Sequence, residues 1–168
     1  MIESLIGPIS EWLIKKGQDK IKESAEFQNT RLAIRQAVVR ELRLNRAFID
    51  EVIKPKEDAT GLTLAMAEEL DVSAFNKLED SFIPIELFFD CERPTLDEQN
   101  TDGQFLNWSN QLENEALWVE RIYMRLRILR ARWRCGKAPT NKSVQYVRWL
   151  IDTWLKHQAN QTKTHRPV

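Results

Sequence analysis

From Ser10 to Lys54 the chain runs without a proline and with a single glycine, Gly17. The whole sequence has five glycines and six prolines in 168 residues. Sheet proteins turn often, and their turns draw on Gly, Pro and Asn-Gly pairs. So marked a shortage dictates long helices and few connections. The expected class is all-α: a single-domain helical bundle of about four main helices, with short helices and an acidic loop between the second and the last pair. Hydrophobic residues at 42% and charged ones at 30% suit one soluble domain with a real core.

Apolar spacing places the elements. At the start, Ile2, Leu5, Ile6, Ile9 and Leu13 recur at helical intervals, and Pro8 suits a first helical turn. One unbroken helix from there to Lys54 would reach roughly 65 Å at 1.5 Å per residue. So long a rod would overhang a domain of this size, so the expected arrangement is two helices, near 8–24 and 27–53, with a bend in "KESAEFQNT". The second carries Ile34, Val38, Leu42, Ile49 and Val52 on one stripe, with Asn45 inside it. A polar residue in an apolar seam can fix register or mark an interface; it can also be bonded to a neighbour or to water.

Lys54-Pro55 ends that helix. Over 60–103, Asp71 and Ser73 offer caps for a restart, so two short helices are expected, and "PIELFFD" reads as a helical turn or a short strand. "CERPTLDEQNTDG" reads as an acidic loop. A long helix is expected over 104–135, stopped by Gly136 with Pro139 beyond. Thr140 can cap a last helix over 141–158. The expected domain is 1–158, with 159–168 as a flexible C-terminal tail.

The most charged element is "LWVERIYMRLRILRARWRC", Leu117–Cys135, with six arginines. At about 100° per residue it has two apolar stripes. Trp118, Val119, Ile122, Leu126, Leu129 and Trp133 form the larger, and Leu117, Met124, Ile128, Ala131 and Cys135 the smaller. Arg121, Arg125 and Arg132 form one ridge between them, and Arg127, Arg130 and Arg134 the other. The larger stripe should face the core. The smaller, with its arginines, is the candidate partner-binding surface.

The zero net charge conceals a net of −11 over 61–116 and of +10 over 117–168. Three readings of the arginines stay open. They can pair with the acidic middle of the same chain. They can grip a protein partner, as arginine forks onto carboxylates and lays its stem on apolar surface. Or they can bind nucleic acid, with Trp133, Tyr146 and Trp149 as stacking groups. An overall pI near 6.8 and two ridges pointing apart weigh against the last.

No constellation supports catalysis. The two histidines, His157 and His165, have no ligand partners at metal spacing. Phosphate-loop, dinucleotide and nucleophile-elbow signatures are absent. No cofactor and no small-molecule substrate is expected. The acidic loop matches no calcium-binding pattern, and Cys91 and Cys135 read as buried or incidental thiols. Without a secretory signal pattern or an apolar run of membrane-spanning length, the expected location is cytoplasmic. The first helix, with Ile2, Leu5, Ile6, Ile9, Trp12 and Leu13, could alternatively lie on a membrane surface. In texture the chain resembles small helical accessory subunits from bacterial mobile or phage-defence loci, a likeness that covers no specific residues. The expectation is a non-catalytic subunit or adaptor that assembles with itself or a larger complex.

Overall fold

The computed structural model describes residues 4, 6–11, 24–53, 68–81, 83–137 and 140–164. The protein is all-α, and no strand occurs among the described residues. Besides a helical segment at 6–11, five helices are described: α1 (Ala25–Ile53), α2 (Ser73–Asp80), α3 (Gly103–Ser109), α4 (Glu115–Arg134) and α5 (Asn141–Thr164). Single 3-10 turns at Ile85–Leu87 and Glu98–Asn100 shape the connection between α2 and α3. "PIELFFD" is thus a helical turn.

Local chemistry sets most of the boundaries. Ser24 Oγ accepts from Phe27 N at 3.1 Å, so α1 begins inside "KESAEFQNT". Thr140 caps α5 through Ser143 N at 3.2 Å. At the end of α4, Gly136 takes the left-handed φ of +67°. Its N–H reaches Trp133 O, and that of Lys137 reaches Arg132 O, both at 2.9 Å. This pair of bonds is the Schellman closure, which needs a left-handed residue at that position. Asp97, Asp102 and Asn114 accept N–H groups at the starts of the second 3-10 turn, α3 and α4. Part of the acid richness of the middle of the chain is therefore helix capping.

Two expectations are corrected. The helix over 104–135 is two helices, because Asn114 Oδ1 accepts from Leu117 N at 2.9 Å and starts α4 afresh after the turn at 110–113. The last helix does not stop near 158. It continues to Thr164, and its extra turns carry side chains that the fold uses.

α5 packs against both α1 and α4. Val147, Leu150, Ile151 and Trp154 of α5, Ile34, Val38, Leu42 and Ile49 of α1, and Trp118, Val119, Ile122 and Leu126 of α4 are all fully buried. Ile6 and Ile9 join this core. Trp118 Nε1 donates to Leu150 O at 3.0 Å, so burying the indole leaves no donor orphaned.

A buried polar cluster ties these helices to the turn at 88–90. Glu115, at the start of α4, has no exposed surface. Its Oε1 accepts from Arg35 of α1 at 2.8 Å, from Trp154 Nε1 at 2.9 Å and from Gln158 Nε2. Its Oε2 accepts from Asp90 N at 2.6 Å. Arg35 also donates to Gln161 Oε1 at 2.7 Å, to Asp90 Oδ2 at 3.2 Å and to Phe88 O at 3.3 Å. Arg31, one turn earlier, donates to Phe88 O at 3.1 Å and pairs with Asp90. Burial by itself would raise the Asp90 carboxyl, but the Arg31 hydrogen bond and the two arginine charges hold it below its ordinary value.

A second polar contact positions α2. Asn45 is fully buried. Its Oδ1 accepts from Asp71 N at 2.7 Å and its Nδ2 donates to Asp71 O at 2.5 Å. Glu41, one turn earlier, accepts from Ala74 N at 2.6 Å and from Ser73 Oγ at 3.2 Å, capping α2 from another helix. Asp71 Oδ1 takes Ser73 N at 2.8 Å. Asn45 thus sets the register of the α2 connection within the chain.

Removing one member of the buried cluster leaves charge without a partner. Arg35→Ala is expected to cost about 3–5 kcal/mol in chemical denaturation, because it strands Glu115. Arg35→Met combined with Glu115→Leu should lose less than the sum of the two single changes.

The Glu41 carboxyl is raised, first by burial, with the Asp71 charge adding to it. A raised carboxyl penalises the folded state above its folded pKa, and the penalty fades as pH falls to about 4. Glu41→Gln keeps an oxygen for the cap and loses the charge. It should therefore be at least as stable as the parent at neutral pH, and thermal melts should converge in acid.

Candidate functional site

The two stripes of α4 separate in the structure. Trp118, Val119, Ile122, Leu126, Leu129 and Trp133 are buried. On the other face Met124 is 50% exposed, Leu117 37% and Ile128 36%. These are three of the five large apolar side chains exposed among the described residues; Leu32 and Leu44 of α1 are the others.

Met124 and Ile128 line a shallow open groove of about 480 Å³ between α2 and α4. Phe75 and Ala131 complete its apolar lining, and Glu79, Glu120 and Arg127 edge it. Phe75 stacks on the Tyr123 ring with centroids 4.3 Å apart, which anchors α2 beside α4. The Glu120 carboxyl is raised by partial burial and then by the charges of Glu86 and Glu79. Of the two carboxylates on the groove's edge, Glu79 is paired with Arg127.

The six arginines have distinct fates. Arg127 pairs with Glu79, donates to Asn76 Oδ1 at 2.5 Å and lies 5.7 Å from the Phe75 ring centroid. Arg125 lies over Tyr146 at 5.3 Å and Trp108 at 6.0 Å. Those rings belong to an aromatic shelf with Phe105 and Trp149. The Arg121 charge acts on Tyr146 as well, lowering a hydroxyl that burial raises. Arg130 is half-buried, and its Nε has no hydrogen-bond partner among the described residues. Arg132 and Arg134 are exposed, and no ion pair joins either to another described residue.

The acidic middle of the chain is therefore not the general mate of the α4 arginines. Among the described residues, Glu79 answers one of them. Asp90 and Glu115 are taken by Arg31 and Arg35 of α1, and Asp102 by Lys142 of α5. Arg31, Arg35, Gln158 and Gln161 were not singled out by sequence reasoning. The available signal was the i, i+4 arginine pair beside Ile34, masked by the near-balance of charge over 1–60.

The remaining candidates fall as follows. Asn45 is internally bonded and offers nothing to a partner. Ile6 and Ile9 are buried in the core and so are not displayed to a membrane. Ile2, Leu5, Trp12 and Leu13 lie outside the described residues. Among the described residues no helix is long and apolar enough to cross a membrane. Nor is any group of three or more His, Cys, Asp or Glu residues there placed to hold a metal ion. Cys91 and Cys135 are both free and exposed, so of the two readings burial does not hold and the incidental one fits.

Comparison of the chain with protein-family models, with curated protein sequences and with solved structures finds no match.

The exposed stripe adds nothing to the core. Met124→Gln and Ile128→Gln should each change folding stability by no more than about 0.5 kcal/mol. Leu126→Ala, on the buried stripe of the same helix, should cost about 2–5 kcal/mol. Thermal denaturation of the three variants checks the assignment of faces.

Proposed function

We propose that this protein is a non-catalytic helical subunit whose α2–α4 groove docks protein. The observation that carries the reading is the groove itself, where solvent-facing Met124 and Ile128 lie with Phe75 and Ala131, edged by Glu79, Glu120 and Arg127. Apolar side chains gathered in a groove with charged edges are the anatomy of an interface core and its rim. Arginine and methionine are both enriched at such surfaces. The competing nucleic-acid reading draws less support. Arg127 is already paired with a carboxylate and Arg125 is turned onto aromatic rings, so the six charges do not form one basic patch.

The test is cross-linking of the tagged protein in its source cells. The parent chain should give a discrete cross-linked species of higher mass, lost in Met124→Glu/Ile128→Glu. Leu32→Glu, at an exposed position on α1, should leave it in place. No such species from the parent, or equal yield from the groove variant, overturns the reading.

A further inference from the structure

The last turns of α5 meet the bundle through polar side chains. Trp154 is fully buried and Leu155 packs half-buried against the core, but none of the side chains from 156 to 161 joins it. Gln158 and Gln161 tie this end down. Gln158 Oε1 accepts from Arg35 at 2.8 Å, and its Nε2 donates to Glu115. Gln161 Oε1 accepts from Arg35 at 2.7 Å, and its Nε2 donates to Asp90 Oδ2 at 2.8 Å.

The last two neighbours fix which way the Gln161 amide points. A guanidinium only donates and an ionised carboxylate only accepts. Asp90 is ionised: burial works against it, but the Arg31 hydrogen bond and the charges of Arg35 and Arg31 hold its carboxyl below the ordinary value. The Gln161 carbonyl must therefore face Arg35, and its NH2 must face Asp90. That NH2 also lies 3.0 Å from Nε2 of His157, one turn earlier. A donor is thus aimed at a ring nitrogen that has to accept. A neutral imidazole accepts at Nε2 only when its proton sits on Nδ1, and an imidazolium accepts at neither nitrogen. Turning the amide over would set its carbonyl against the Asp90 carboxylate and its NH2 against Arg35. The contact therefore fits one charge state of His157.

His157 also edges an open cavity of about 420 Å³ between α5 and the connection that precedes α3. Glu92 and Asp97 line it from the connection, and Lys156 from α5. Arg31 and Arg35 of α1, Glu115 of α4 and Asp90 are paired with one another in the buried cluster. An imidazolium at 157 thus faces a donor at Gln161, and Lys156 adds a like charge at the same rim. Glu92 and Asp97 are the carboxylates of that cavity, and they draw the charged ring away from Gln161.

We propose that His157 and Gln161 form a proton-operated latch on the end of α5. With His157 neutral, Gln161 is held by Arg35, Asp90 and His157 together, and the end of α5 closes over the Arg35–Glu115 pair. With His157 protonated, the ring leaves for the Glu92 and Asp97 side, Gln161 loses that contact, and the last turns open more often. Histidine is the side chain that changes charge between about pH 5 and 8. Closure is complete at the alkaline end of that range and weakens as pH falls. The opening is local, because the apolar core ends before this segment.

Backbone amide exchange over 158–164 tests the latch in the full chain, with the parent and His157→Gln compared at equal pH. Glutamine keeps an acceptor toward Gln161 and takes no proton. Comparison at one pH cancels the intrinsic exchange rate and the titration of Glu41 and Glu120, which the two proteins share. At roughly pH 8 the two should exchange alike. At roughly pH 5 the parent should exchange ~5-fold faster over this segment, the share of one hydrogen bond, with no difference at Ile122 or Leu126. Nitrogen NMR of the parent gives a second reading that needs no variant. The neutral His157 ring should carry its proton on Nδ1, and the Gln161 NH2 resonances should move with the ring as it titrates.

Equal exchange of the two proteins at both pH values overturns the proposal. So does a neutral ring protonated at Nε2, or a Gln161 NH2 that does not follow the ring. If His157→Gln already exchanges faster than the parent at alkaline pH, the ring and amide titration of the parent decides.

Discussion

The bundle turns on a carboxylate that has no access to water. Glu115 sits at the first position of α4, where the helix dipole favours negative charge, yet it is buried under α1, α5 and the turn at 88–90. An ionised group in such a place is tolerated only if every lone pair is satisfied. Arg35, Trp154, Gln158 and the Asp90 N–H supply that satisfaction. Each donor comes from a segment that must be correctly placed to reach it. The cluster thus fixes where α4 begins, how far α5 must extend and where the chain after α2 returns to the bundle.

Once α4 is held at its start and seated by Trp118, the rest of its surface follows from helix geometry. The larger stripe goes into the core, and its opposite must face outward. Among the described elements α2 lines the groove on that outer face with α4, and Asn45 and Glu41 on α1 place it by bonding its leading residues. The groove is therefore a by-product of two polar contacts made elsewhere. Met124 and Ile128 line it without being buried in the core. A side chain kept apolar where the fold does not bury it is the observation on which the docking proposal stands.

Much of this was legible along the chain. The two faces of α4, the stop at Gly136, the cap at Thr140 and the stripe of α1 are all local consequences of periodicity and of a few capping residues. Reasoning along the chain failed at the turn over 110–113 and at the end of α5. The apolar period carries through "NWSNQLENEALW" with little interruption, and Asn114 is one polar residue among several there. Beyond 158 the residues are polar on all sides, which reads as a tail until Gln158 and Gln161 are seen to hydrogen-bond with Arg35 and Asp90.

By itself, then, the sequence determined the class of fold, the core-facing stripes of its main helices, and the presence on α4 of a second, arginine-edged apolar stripe. Those properties depend on residues within a few turns of one another. Which carboxylate meets which arginine was decided by the tertiary structure alone. Arg35 is 80 residues from Glu115 and 126 from Gln161, and Arg127 is 48 from Glu79. Groups so far apart are paired by the packing of α1, α2, α4 and α5. Totals of acid and base along the chain record how many partners exist and carry no trace of which ones touch.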